Sequence, residues 1–138
     1  MRTEHFTQTA ERIARAEHAG QFRNDGVTPY ITHVEGVAKD FDPARMPFEN
    51  ATAWLHDVLE DTTVTEQELR DAGIPEDVIH AVKLLTKHPG QDYFKYLDGV
   101  RTNNISRRVK IADINYNLAD TPSQKQIIKY PKALKYLQ

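Results

Sequence analysis

The sequence contains no cysteine, which excludes disulfide bonds, thiolate metal ligands and a cysteine nucleophile. It also lacks an apolar run long enough to cross a membrane, and its first residues, "MRTEHFTQTAERI", lack the apolar block of a signal peptide. We therefore expect a cytoplasmic protein without a membrane partner. Any metal site in it must use nitrogen and oxygen ligands.

A large charge of either sign is absent as well. The chain has 18 Lys and Arg against 20 Asp and Glu, a formal charge of −2. Such a balance gives no overall attraction to nucleic acid or to anionic lipid, so we expect neither as a partner. Its 138 residues, 39% hydrophobic and 28% charged, are typical of one compact domain with a real core. The composition leaves the oligomeric state open.

Apolar residues recur at helical spacing along most of the chain, which predicts an all-α, multi-helix fold. The predicted helices cover residues 3–19, 30–41, 47–59, 65–73, 75–86, 93–100, 105–120 and 123 onward. Thr3 is predicted to cap the first helix, and Pro131 to bend or restart the last. The turn formers in "GQFRNDGVTPY" allow one short β-hairpin near residues 21–29.

The stretch "AWLHDVLEDT", residues 53–62, places unusual polarity beside predicted core positions. Residues three and four apart on a helix are neighbours, so Glu60 lies beside His56 and Asp57, and Asp61 lies beside Asp57. Without a cation, these groups would suffer like-charge repulsion and costly desolvation, and a divalent metal relieves both. The stretch therefore predicts part of a metal site.

Other helices must complete the ligand shell, because His56 and Asp57 point ~100° apart around a helix axis. His33 and Asp113 are the natural candidates, since each lies in a separate predicted helix and is flanked by apolar positions. Two imidazoles and two carboxylates suit Mn²⁺, Fe²⁺ or Zn²⁺ and leave positions open for water or a phosphate oxygen. Such a centre makes hydroxide near neutral pH and polarises a phosphoryl oxygen.

Four segments resemble blocks of the HD-superfamily hydrolases of the RelA/SpoT type, in particular the stand-alone small alarmone hydrolases. They are "AEHAGQFRNDGVTPYITHVEGVA" (16–38), "AWLHDVLEDT" (53–62), "VKLLTK" (82–87) and "VKIADINYNLAD" (109–120). The first resembles the block with the metal-binding histidine, and the second resembles the HD motif with its following Glu-Asp pair. In order and approximate spacing, the segments cover nearly the whole chain.

The resemblance implies an HD-domain bundle that uses Mn²⁺ to hydrolyse the 3′-pyrophosphate of the guanosine nucleotide (p)ppGpp, releasing pyrophosphate and GDP or GTP. The implied metal ligands are His33, His56, Asp57 and Asp113. Glu60 and Asp61 would position and deprotonate the attacking water. Arg23 would contact the phosphates, and Asn117 would face the nucleotide.

The chain departs from the family pattern at three positions where many members carry basic residues. Asn24, Ile114 and Ala119 stand there, which predicts reduced or altered nucleotide affinity. Taken singly, the site residues also have structural explanations: His33 as a core histidine, or Asp113 as a local hydrogen-bonding group. Their joint occurrence in family order favours a site.

Three functions are compatible with this pattern. The leading hypothesis is a (p)ppGpp hydrolase, and the second is an HD phosphohydrolase acting on another nucleotide, such as the 2′-phosphate of NADPH. The third is a non-catalytic module that binds a nucleotide or a partner. The pairing of Glu60 with Asp61 argues against the third, because a binder has no physical need for both carboxylates.

Overall fold

The computed structural model describes residues 4–120 and 122–138. Within these ranges the chain forms nine α-helices and no β-strand, which confirms the all-α prediction. The helices are α1 (Phe6–Glu17), α2 (Ile31–Ala38), α3 (Pro47–Leu55), α4 (Val58–Asp61), α5 (Glu66–Asp71), α6 (Glu76–Leu85), α7 (Tyr93–Arg101), α8 (Asn104–Ala119) and α9 (Gln124–Leu137). No helix in the described part of the chain combines the length and the apolar character that crossing a bilayer requires.

Capping side chains determine where several helices begin. His5 caps α1 and forms a reciprocal pair with Gln8, whereas the predicted cap Thr3 lies outside the described residues. Thr65 and Glu68 form a capping box at the start of α5. Such pairs satisfy backbone N–H groups that have no partner within the helix, so these helix starts are encoded locally.

The last helix runs through Pro131 as one element, so the prediction that it restarts there is wrong. Proline lacks the N–H that would bond to the preceding turn. Contacts of α9 with α7 and α8 provide tertiary packing that a local pattern does not contain.

The predicted helix over residues 47–59 is two helices, α3 and α4, with the break at His56 and Asp57. Nδ1 of His56 lies 2.6 Å from the carbonyl oxygen of Ala53. In a continuous helix that oxygen would accept from the N–H of Asp57, so the imidazole competes with the backbone for it. Because the helix is broken here, the side chains of His56 and Asp57 need not point ~100° apart, as they would on a continuous helix.

The predicted hairpin is reduced to a single antiparallel bridge between Phe22 and Pro29. Asp25 holds the intervening turn, because its Oδ1 accepts from the N–H groups of Val27 and Thr28. Gly26 has φ +72°, a left-handed conformation that glycine adopts readily. This turn presents the loop that precedes α2.

Helices α3 and α8 occupy the centre of the bundle. α3 packs against α1, α2, α6 and α8, and α8 also contacts α2, α6, α7 and α9. Leu55 of α3 and Ile114 of α8 are fully buried in the core that results. Because α2, α3 and α8 contact one another, residues on their facing sides meet at one point.

Two helical glycines, Gly36 and Gly99, should respond to alanine substitution with stability changes in opposite directions. A Cβ at Gly36 would lie 2.1 Å from Cε2 of Tyr116, and such overpacking costs about 1–3 kcal/mol. A Cβ at Gly99, also helical, would meet Leu84 at an ordinary 3.7 Å, so alanine there should stabilise by about 0.5–1 kcal/mol. Urea denaturation of both variants measures this, and shifts of the same sign would contradict the close contact.

Candidate metal centre

The contacts among α2, α3 and α8 bring together His33, His56 and Asp113, which are far apart in sequence. Each side chain is buried and offers a ligand atom, and these atoms all lie within 4.8 Å of one another. Nε2 of His33 lies 2.8 Å from Oδ1 of Asp113, and Nε2 of His56 lies 3.6 Å from the same oxygen. Two imidazoles and a carboxylate in this arrangement can hold a divalent metal ion.

Asp57 lies beside this cluster. Its Oδ2 is 3.0 Å from Nε2 of His56, and the hydroxyl of Tyr30 donates to the same oxygen. The structure therefore groups all four residues predicted as ligands. Tyr30 was not singled out from the sequence, where its position three residues before His33 is the only signal.

The histidine at the helix break has the environment of a metal ligand. The hydrogen bond from Nδ1 of His56 to Ala53 orients the ring and directs Nε2 toward the carboxylates. That Nε2 is buried and has no hydrogen-bond partner among the described residues, because its 3.0 Å approach to Asp57 does not have hydrogen-bond geometry. A divalent cation would satisfy this atom together with the surrounding oxygens, so the residues present fit such an ion.

We expect metal binding at this cluster to release a proton from the imidazole of His56. Burial lowers the pKa of His56, but Asp57 and Asp113 outweigh it, and the pKa lies well above 6.5. The metal-free imidazole is therefore protonated at neutral pH, whereas a ligand must be neutral. Affinity for Mn²⁺ should rise with pH up to the raised pKa, with release of about one proton per ion. Calorimetric titration at pH 7 in two buffers of different ionisation enthalpy measures this, and equal heats would contradict it.

Asp113 is also linked to the residues predicted to bind substrate. Its Oδ2 accepts from Nζ of Lys110 at 3.1 Å, and its Oδ1 accepts from Nδ2 of Asn117 at 3.4 Å. Arg23 donates in turn to Oδ1 of Asn117 at 3.1 Å. Burial raises the pKa of Asp113, but Lys110 and the histidines bring it well below 3.8, so Asp113 is a carboxylate. Arg23 and Asn117 are thus connected to the cluster through hydrogen bonds.

Two cavities open beside the cluster. One, of about 580 Å³, is lined by residues that include Lys87, Lys129 and Tyr130. The other, of about 260 Å³, includes Arg23. Lys110 lines both of them. Cations in both cavities beside a candidate metal centre suit a ligand that carries several phosphates.

The two predicted catalytic carboxylates occupy different positions. Glu60 lines both cavities, and its Oε1 accepts from the backbone N–H of Lys87 at 2.7 Å. Asp61 lines neither cavity, and its backbone carbonyl accepts from Nε2 of Gln21. Partial burial and the charges of Asp57 and Glu60 raise the pKa of Asp61 to about 6. Glu60 is the better placed of the pair to meet a bound ligand.

The three departures from the family pattern lie in different environments. Asn24 lines the smaller cavity. Ile114 is fully buried in the core, and Ala119 is exposed and lines neither cavity. Asn24 is therefore the departure that bears most directly on ligand contact.

The chain was compared with protein-family models, with curated proteins and with solved structures. No protein-family model matches the chain. The chain is 35% identical over 117 residues to the guanosine-3′,5′-bis(diphosphate) 3′-pyrophosphohydrolase of Haemophilus influenzae, covering 77% of this chain and 17% of the relative. The chain is a relative of the RelA/SpoT hydrolases. The resemblance predicted from its four segments is thereby confirmed.

Further RelA/SpoT proteins match shorter parts of the chain. The Vibrio cholerae protein of the same name is 40% identical over 76 residues, covering 54% of this chain and 10% of the relative. The bifunctional (p)ppGpp synthase/hydrolase SpoT of Escherichia coli K12 is 43% identical over 58 residues, which cover 41% of this chain and 8% of the relative. This RelA/SpoT relative thus spans less than a fifth of the length of these curated proteins.

A solved structure supports the fold. It is that of a metazoan orthologue of SpoT that hydrolyses ppGpp, and it matches with a TM-score of 0.77 at 22% identity, covering 99% of this chain and 85% of that chain. The all-α bundle of this RelA/SpoT relative is therefore a known architecture.

Proposed function

We propose that residues 1–138 form one hydrolase domain that removes the 3′-pyrophosphate of (p)ppGpp, releasing pyrophosphate and GDP or GTP. The observation that carries this proposal is the contact of the buried His33, His56 and Asp113 with the half-buried Asp57, beside cavities lined by cationic side chains. Relatives whose names state this activity support the choice of substrate. The proposed metal is Mn²⁺, and its proposed ligands are His33, His56, Asp57 and Asp113.

When bound, the metal would act as a Lewis acid on the phosphoryl group and lower the pKa of a water molecule. Glu60 would accept the proton of the attacking water. Its Oε1 is held by the N–H of Lys87, which leaves Oε2 for the proton. Asp61 is proposed as the second catalytic carboxylate, because a pKa of about 6 suits proton exchange near neutral pH.

Substrate contacts are proposed for the cationic and amide side chains around the cluster. Arg23 would exchange its bond to Asn117 for a phosphate, and its planar guanidinium suits two oxygens at once. Asn117 would then face the nucleotide. Lys87 and Lys129 line the larger cavity and would offset further negative charge. The expectations of no nucleic-acid or membrane partner and of a cytoplasmic location stay predictions.

Incubation of the Mn²⁺-loaded protein with ppGpp, followed by anion-exchange separation of the products, tests this function. We expect GDP and pyrophosphate in equal amounts, and no reaction in EDTA. Parallel incubation with NADPH identifies the alternative, because a 2′-phosphatase releases orthophosphate. If the protein binds metal and turns over neither nucleotide, the proposed function is wrong and the binding-module hypothesis takes its place.

A further inference from the structure

We propose that Lys110 is a positioning residue that orients Asp113 toward the metal and offsets part of the negative charge of the ligand set. This inference rests on the proposed function, since it concerns the same centre. It assigns a role to a residue that does not itself have to touch the ion.

The orientation follows from the different neighbours of the two oxygens of Asp113. Oδ2 accepts from Nζ of Lys110 at 3.1 Å, whereas Oδ1 lies 2.8 Å from Nε2 of His33 and 3.6 Å from Nε2 of His56. Lys110 precedes Asp113 by three residues on α8, so the two side chains are neighbours on one helix face. The lysine therefore occupies one oxygen and leaves the other for the cluster.

The surroundings of Lys110 keep its ammonium in place. Its side chain is only 13% exposed, and Nζ lies 5.4 Å from the ring centroid of Tyr96, where a cation is attracted to the aromatic face. Interactions between charges are weakly screened in such a buried position. The positive charge is therefore screened less by solvent than it would be on the surface.

The charge has a predictable effect on a bound cation. Asp57 and Asp113 bring two negative charges to the site, and Lys110 offsets one of them. The site then binds a divalent ion less tightly than the carboxylates alone would, and the ion retains more of its charge for water and the phosphoryl group. Lys110 would thus lower metal affinity and raise turnover.

The substitution Lys110→Gln tests this directly, because an amide still donates to Asp113 but carries no charge. We expect Mn²⁺ to bind the metal-free variant about tenfold more tightly, because one positive charge is removed, while kcat falls by about tenfold at saturating metal. Substitutions around metal ligands cause changes of this size, but they usually weaken binding, so the expected tightening is specific to the loss of charge. Lys110→Arg keeps the charge and should stay close to wild type. Lys132→Gln makes the same charge change at an exposed position on α9 and should leave both quantities unchanged.

Calorimetric titration with Mn²⁺ separates the outcomes. Unchanged or weaker binding by Lys110→Gln, with wild-type binding intact, overturns the role of Lys110 and leaves the proposed function standing. Absence of binding by the wild type overturns both. If the glutamine variant does not fold, Lys110→Met replaces it. Methionine has neither the charge nor the hydrogen bond to Oδ2 of Asp113, so kcat at saturating metal must fall, and an unchanged kcat overturns the role of Lys110.

Discussion

Replacing His56 by alanine should abolish metal binding and hydrolysis together. The substitution removes a buried Nε2 at the cluster, and it also removes the hydrogen bond to Ala53 at the break between α3 and α4. Residues that merely support metal ligands change affinity by 10- to 100-fold, so loss of a ligand should weaken Mn²⁺ binding by more than about 100-fold. Turnover of ppGpp should fall to the level of the EDTA control.

The matched control is His80→Ala, which removes an exposed imidazole from α6. It should bind Mn²⁺ and hydrolyse ppGpp as wild type does. Calorimetric titration gives the affinities, and circular dichroism shows whether the His56 variant keeps its helices. A folded His56 variant with wild-type metal affinity would remove His56 from the ligand set.

Replacing Glu60 by glutamine should separate metal binding from chemistry. Glu60 lines both cavities and is held through Oε1 by the backbone of Lys87, a bond that the amide oxygen of glutamine can keep. An amide cannot accept the proton of the attacking water. We therefore expect kcat to fall by about 10²- to 10⁴-fold, the usual contribution of a general base, with Mn²⁺ affinity close to wild type.

Steady-state kinetics at saturating Mn²⁺, together with a metal titration, measure this separation. Glu17→Gln is the control, because Glu17 is an exposed carboxylate at the end of α1. Unchanged kcat in the Glu60 variant would transfer the role of base to Asp61, and Asp61→Asn would then have to lose turnover. Loss of metal affinity in the Glu60 variant would instead make Glu60 a ligand.

The helices were largely predictable because their signals are local. Apolar spacing locates most helices, and the capping box of Thr65 and Glu68 defines the start of α5. The break between α3 and α4 was missed, since periodicity does not register the competition of a histidine side chain for the carbonyl of Ala53. The sequence left open whether the last helix bends or restarts at Pro131, because local signals do not include the packing of α9 against α7 and α8.

The residues of the candidate site could be predicted from the sequence, but their positions relative to one another and to the cavities could not. Residue order and family resemblance placed His33, His56, Asp57 and Asp113 in one set, and their role as ligands stays a prediction. Lys129 and Tyr130 on α9 carry no signal of their own. They line the larger cavity only because α9 folds back on α8.

The sequence by itself determined an all-α chain, a candidate metal site without cysteine ligands and the resemblance to RelA/SpoT hydrolases, because these depend on residue types, local spacing and motif order. Only the tertiary structure decided that Glu60 rather than Asp61 lines the cavities, and that Lys110 and His33 engage different oxygens of Asp113. Such relations depend on distances of a few ångströms between side chains on different helices. Helix packing sets those distances, and a linear pattern does not contain them.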